Sequence, residues 1–142
     1  MKIMVAYDGT LQSKEALMYG MQKARENGGE MVALHVFNSP LFMDYDASPD
    51  ARTRAEAESA RFVEEAKTVI REKGAGVKAS LFSTEGDPED AVISFARKEQ
   101  VDVLLCPPAF KGIISKYRKT LAASELAAGA ARLEVAAIAL TR

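Results

Sequence analysis

An aspartate that closes an apolar run is the first residue in the chain placed to do chemistry. Residues 3–7, Ile3-Met4-Val5-Ala6-Tyr7, lead straight into Asp8-Gly9-Thr10. A carboxylate there accepts hydrogen bonds from a ribose or a base edge, or else it caps its own turn backbone. Gly9 and Thr10 either offer amide hydrogens to an anion at a helix start or make a plain tight turn. Cys106 ends another apolar run, residues 101–106. It is either a redox or nucleophilic thiol or a small buried hydrophobe, and no histidine stands near it in sequence. Just downstream lie Lys111, Lys116, Arg118 and Lys119. Their charge suits a phosphate-bearing ligand, and equally suits plain solvation. His35 is the single histidine and sits inside an apolar run. With no second histidine to complete a usual metal site, a core or interface role is favoured. No G-x-S-x-G, H-E-x-x-H or Walker pattern occurs, so the chain is not expected to be an enzyme.

Composition narrows the partner classes. The 142 residues suit one domain spanning 1–142, with 48% apolar and 27% charged residues in the balance of a globular protein. A net charge of −1 provides no strong field to gather nucleic acid or a membrane surface. A lone cysteine forms no internal disulfide and fits a reducing cytoplasm. The N-terminal apolar run is too short for a signal peptide or a bilayer span. A soluble cytoplasmic protein is therefore expected.

Those candidate residues need a scaffold, and the patterning supplies one. Residues 3–7 read as a buried strand. Ser13 is predicted to cap a helix reaching Asn27, with Ala16, Leu17, Gly20, Met21 and Ala24 on one face and Gly28-Gly29 at its end. Residues 30–37 are apolar on both alternating sets, as in a strand covered on both faces. A loop over 38–47 carries Phe42, Met43 and Tyr45, suited to a lid, a partner surface or an ordered cap. Ser48-Pro49-Asp50 and Asp87-Pro88-Glu89 each give a cap, a proline in the first turn and an early acid, the signature of a helix start. Strands are predicted at 77–83, 101–106 and 135–140, with a last helix near 121–131. Each gap between strands holds a helix long enough for a crossover. The fold class is thus α/β: a five-stranded doubly wound parallel sheet, order 3-2-1-4-5, with helices on both faces. Its ligand crevice would open at the strand carboxyl ends between the first and fourth strands. Asp8-Gly9-Thr10 would face Cys106-Pro107-Pro108-Ala109 across it.

At this point a family resemblance becomes specific. Residues 3–10 are similar to the opening strand and DGS-type turn of universal stress proteins. Leu34-His35-Val36 resembles their second strand, and Glu85-Gly86-Asp87-Pro88 followed by Val101-Asp102-Val103-Leu104-Leu105 resembles their G-x-P…D-L-I-V segment. The resemblance implies a stress-response role. It also implies a nucleotide site in which Asp8 and Val36 occupy contact positions. Members that bind ATP carry G-x2-G-x9-G-[ST] after the fourth strand, whose amides hold the phosphates. Here those positions fall on Pro107, Phe110 and near Thr120. Pro107 and Pro108 lack N–H groups, and Gly112 is at the wrong spacing. The expectation is therefore a non-ATP-binding regulatory or interaction module without a cofactor. The alternative is an ATP- or AMP-binding member in which Lys111, Lys116 and their basic neighbours replace the amides.

The last run, Val135-Ala136-Ala137-Ile138-Ala139-Leu140, is predicted to be an edge strand free of proline and internal charge. A two-fold homodimer through that edge is expected, and the resemblance implies the same. An unidentified protein partner is also expected, with no nucleic acid and no membrane. Glu134 and Arg142 would otherwise have to blunt the edge.

Overall fold

The computed structural model describes residues 1–37, 49–117 and 125–140. The Phe42, Met43 and Tyr45 cluster, the Ser48 cap, Arg118, Lys119, Thr120 and the start of the last predicted helix lie outside the described residues.

Strand β1, Lys2–Tyr7, is followed by helix α1, Leu11–Asn27. The cap of α1 is Thr10 rather than the expected Ser13: the Thr10 hydroxyl accepts from the Ser13 amide at 3.2 Å. Ser13 instead sits inside the first turn, buried, and donates its hydroxyl to the Thr10 carbonyl at 2.9 Å. The helix ends on Gly28, whose φ of 65° is the left-handed conformation that glycine adopts without penalty. Strand β2, Glu30–Phe37, helix α2, Pro49–Lys73, and strand β3, Lys78–Glu85, come next. Asp87 then caps helix α3, Pro88–Lys98, by accepting from the Asp90 amide at 3.0 Å, as the Asp-Pro-Glu signal foretold. Strand β4, Val103–Cys106, leads into a 3-10 turn, Pro108–Phe110, and helix α4, Lys111–Lys116. Helix α5, Glu125–Arg132, and strand β5, Ala136–Ala139, complete the described chain.

The five strands lie in the order β3-β2-β1-β4-β5. Alternate residues of β1 serve opposite faces. Ile3, Val5 and Tyr7 join the core formed with α1, α2 and α5, whereas Met4 and Ala6 join the one formed with α3 and α4. Burial on both faces explains why β1 reads as an unbroken apolar run.

One expectation is corrected: the sheet is not wholly parallel. β1, β2, β3 and β4 are parallel to their neighbours, but β5 is antiparallel to β4, with Cys106 opposite Ala136 and Val103 opposite Ala139. A parallel partner needs a crossover that returns the chain to the far end of the sheet. The chain instead leaves β4 at Cys106 and enters β5 beside it, at the same end, so β5 has to run back. The 17-residue α1 makes a full crossover, whereas among the described residues α4 and α5 span six and eight. At a rise of about 1.5 Å per residue, α4 and α5 are roughly 9 and 12 Å long. Among the described residues no helix is long and apolar enough to cross a membrane.

Candidate functional site

A cleft of about 280 Å³ opens over the carboxyl ends of β1, β2 and β4, where the strand order turns outward from β1. Tyr7 and Asp8 from the end of β1 and His35 and Val36 from β2 line it. Ser59 and Phe62 of α2 contribute a second part of the lining, and Ala109 and Phe110 of the turn after β4 a third. The cleft therefore unites Asp8 and Val36, two of the residues singled out in the sequence. Gly9 and Thr10 stand beside it, holding its shape rather than lining it.

The Asp8 turn is internally satisfied. Asp8 Oδ1 accepts from the Thr10 amide at 3.1 Å and from the Thr10 hydroxyl. This Asx turn sets the start of α1 and occupies the Thr10 amide. Gly9 has a φ of 80°, and the Phe62 ring lies so close that a Cβ on Gly9 would stand 2.5 Å from it. The glycine is needed both for backbone conformation and for the approach of an aromatic ring from α2.

His35 is 5% exposed. Its Nε2 lies 2.7 Å from Ser59 Oγ and its Nδ1 lies 3.4 Å from the Tyr7 carbonyl. A carbonyl only accepts, so the Nδ1 proton points to it and Nε2 accepts from the serine hydroxyl. Burial lowers the imidazole pKa, outweighing the opposite pull of the Tyr7 carbonyl and Asp8. The ring packs edge-on to Tyr7 and Phe62, at centroid distances of 6.1 and 6.3 Å. Tyr7 is 1% exposed, and its hydroxyl is buried without a hydrogen-bond partner among the described residues. Burial, then Glu65 and Asp8, hold that phenol well above its usual pKa.

The described members of the basic set, Lys111 and Lys116, go elsewhere. Lys116 lines a separate groove of about 260 Å³ between α3 and α4, where its ammonium stands 5.9 Å from the centre of the Tyr117 ring. Arg97 donates to the Tyr117 hydroxyl at 3.3 Å in the same groove. Lys111 is exposed and lines neither cavity. Cys106 is fully buried, and burial, with Glu89 nearby, pushes its thiol up to about 12. It is a protonated core residue at neutral pH. Among the described residues no group of His, Cys, Asp and Glu side chains could hold a metal ion.

After β4, Pro107 and Pro108 offer no amide hydrogens, and the Phe110 amide donates to the Pro107 carbonyl at 3.0 Å. Phe110 is 5% exposed, so its side chain packs inward where a phosphate cradle would need bare backbone. Sequence reasoning missed the contributions of Tyr7, Ser59 and Phe62. Phe62 reads in the sequence only as one apolar residue of a helix, and nothing local ties it to Gly9.

A family model described as "Usp: Universal stress protein family" matches residues 1–109. No curated protein is significantly similar to the chain in sequence. Solved structures are similar in fold. A universal stress protein in complex with cAMP is 18% identical, with 73% of this chain and 69% of that one covered at a TM-score of 0.55. A protein of the same family from Burkholderia pseudomallei is 21% identical, with 72% and 77% covered at 0.56. Universal stress protein UspA from Lactobacillus plantarum is 15% identical, with 73% and 74% covered at 0.53.

Proposed function

The chain belongs to the universal stress protein family, and from that premise we propose that it is a non-ATP-binding member. In this reading it is a non-enzymatic regulatory or interaction module of the stress response, dimeric and cytoplasmic, built on a doubly wound sheet whose crevice is the cleft beside Asp8. The observation that carries the reading is the segment after β4. Pro107 and Pro108 carry no N–H, the Phe110 amide is engaged within its own turn and the Phe110 side chain is buried, so none of these three positions offers an amide to a triphosphate.

The competing ligand is a nucleotide, and a relative in this fold has been solved in complex with cAMP. The basic-loop alternative finds less support, since Lys116 lines the α3–α4 groove and Lys111 does not line the cleft. Isothermal titration with ATP, AMP and cAMP tests the reading. Millimolar or absent affinity is the expected result; low-micromolar affinity for ATP would overturn it.

For the dimer, the support is β5. Among the described residues β4 is its one strand neighbour, which leaves a sheet edge with buried Ala137 and Ile138. A two-fold axis through that edge would continue the sheet into a second copy. Sedimentation equilibrium at micromolar concentration should give the mass of a dimer, and a monomer alone would remove that part of the proposal.

A further inference from the structure

We propose that the cleft beside Asp8 takes an organic cation: an ammonium group on a flat, apolar body about the size of one aromatic ring. The proposal rests on the non-ATP reading above, since it fills the same cleft with a ligand of opposite charge.

The charge of the lining is the first reason. Its ionisable residues apart from Tyr7 and His35 are Asp8 and exposed Glu58, and no lysine or arginine lines it among the described residues. Burial disfavours the imidazolium of His35, so that residue adds no cation at neutral pH. A small cleft with low-dielectric walls focuses the field of its charges. Two acids there repel a phosphate and attract an ammonium. Asp8 already accepts from Thr10 through Oδ1, but a carboxylate has about four lone-pair sites, so this does not exhaust it.

The walls are the second reason. Tyr7, Phe37, Phe62 and Phe110 surround the space, and aromatic faces attract cations through their quadrupole. Phe62 already receives one cation: the Arg61 guanidinium lies 5.3 Å from its ring centre. Arg61 is paired with Glu65 at 3.6 Å and does not line the cleft.

The third reason is the Tyr7 hydroxyl, buried and without a partner among the described residues. A buried polar group left unpaired carries a desolvation cost that a ligand hydrogen bond removes. Tyr7 lines the cleft, and an ammonium that shifts the packing over this oxygen brings it N–H donors, whereas a hydrocarbon brings none.

Titration at low salt and pH 7.5 with phenethylammonium, 2-phenylethanol and 3-phenylpropanoate separates charge from shape. The ammonium should bind about tenfold or more tighter than the neutral alcohol, as an electrostatic and cation–π preference would give. The carboxylate should not bind. The preference should shrink in Glu58→Gln, an exposed site where folding is not at stake, and vanish in Asp8→Asn/Glu58→Gln. Equal binding of all three probes, no ammonium binding, or a preference unchanged in Glu58→Gln and in the double variant would each overturn the inference. An ATP titration alongside keeps the two readings distinguishable. Silent ATP with a silent ammonium overturns the cation site alone, whereas tight ATP overturns the non-ATP reading itself.

Discussion

Replacing Gly9 with alanine lowers the unfolding free energy by about 2–5 kcal/mol, read as a shift in the urea midpoint at unchanged slope. Two causes add. The φ of 80° at Gly9 costs an L-residue about 1–2 kcal/mol. The new Cβ would also stand 2.5 Å from the Phe62 ring, and forcing such a contact apart costs about 1–3 kcal/mol. Gly28 supplies the control, because its φ is 65° and nothing lies within 4 Å of a Cβ there. Gly28→Ala should therefore show the strain alone, about 1–2 kcal/mol. Removing the ring isolates the other part: in a Phe62→Ala background the Gly9→Ala penalty should fall to the Gly28→Ala value. If Gly9→Ala is as mild as Gly28→Ala in the parent chain, the α2 ring does not rest on the turn as described. The effect belongs to function as well as stability, since Phe62 lines the cleft that Asp8 and His35 share.

What the sequence carries and what it does not divide by range. β1 and β2 were legible because both alternating sets of side chains are apolar, a pattern that follows from cover on both faces. The start of α3 was legible because Asp87, Pro88 and Glu89 act within one turn. Even the displaced cap of α1 is a local matter: Thr10 and Ser13 both carry hydroxyls in a stretch of four residues, and the Asp8 turn decides between them by fixing Thr10. The direction of β5 was not legible. Its composition is the same whichever way it runs, and what decides is where in space the chain emerges from α5. A cleft lies at the sheet end where topology puts a crevice, but of the two segments expected to face each other only Asp8 and Ala109 line it. Ser59 and Phe62 reach it from α2, where apolar periodicity turns Phe62 inward and a serine at 59 gives no such signal. Lys111 and Lys116 follow the same logic in reverse. As a string they look like a phosphate-binding loop; folded into α4, Lys116 lies in the α3–α4 groove beside Tyr117.

The largest pH effect expected below neutrality comes from His35, the single histidine in the chain. Its folded pKa is lowered, chiefly by burial. Between that lowered value and the ordinary histidine value, the unfolded chain holds a proton that the folded chain does not. Stability therefore falls as pH falls through that window, and the loss is complete once the folded ring also protonates. The slope approaches at most about 1.4 kcal/mol per pH unit while one proton separates the two states. Hydrogen bonding adds little to the cost of protonation. Ser59 can reverse its hydroxyl to accept from a protonated Nε2, so the penalty is that of placing charge in a site 5% exposed, with Asp8 providing partial relief. Urea midpoints measured from pH 7.5 to pH 5 should thus decline, and the decline should be much shallower in His35→Gln, whose amide still reaches toward Ser59 but does not titrate. Imidazole proton shifts followed by NMR give the direct readout. Titration at the ordinary histidine value, or midpoints equally flat in both proteins, would mean that the ring is solvated and that the cleft floor is wetter than its packing against Tyr7 and Phe62 allows.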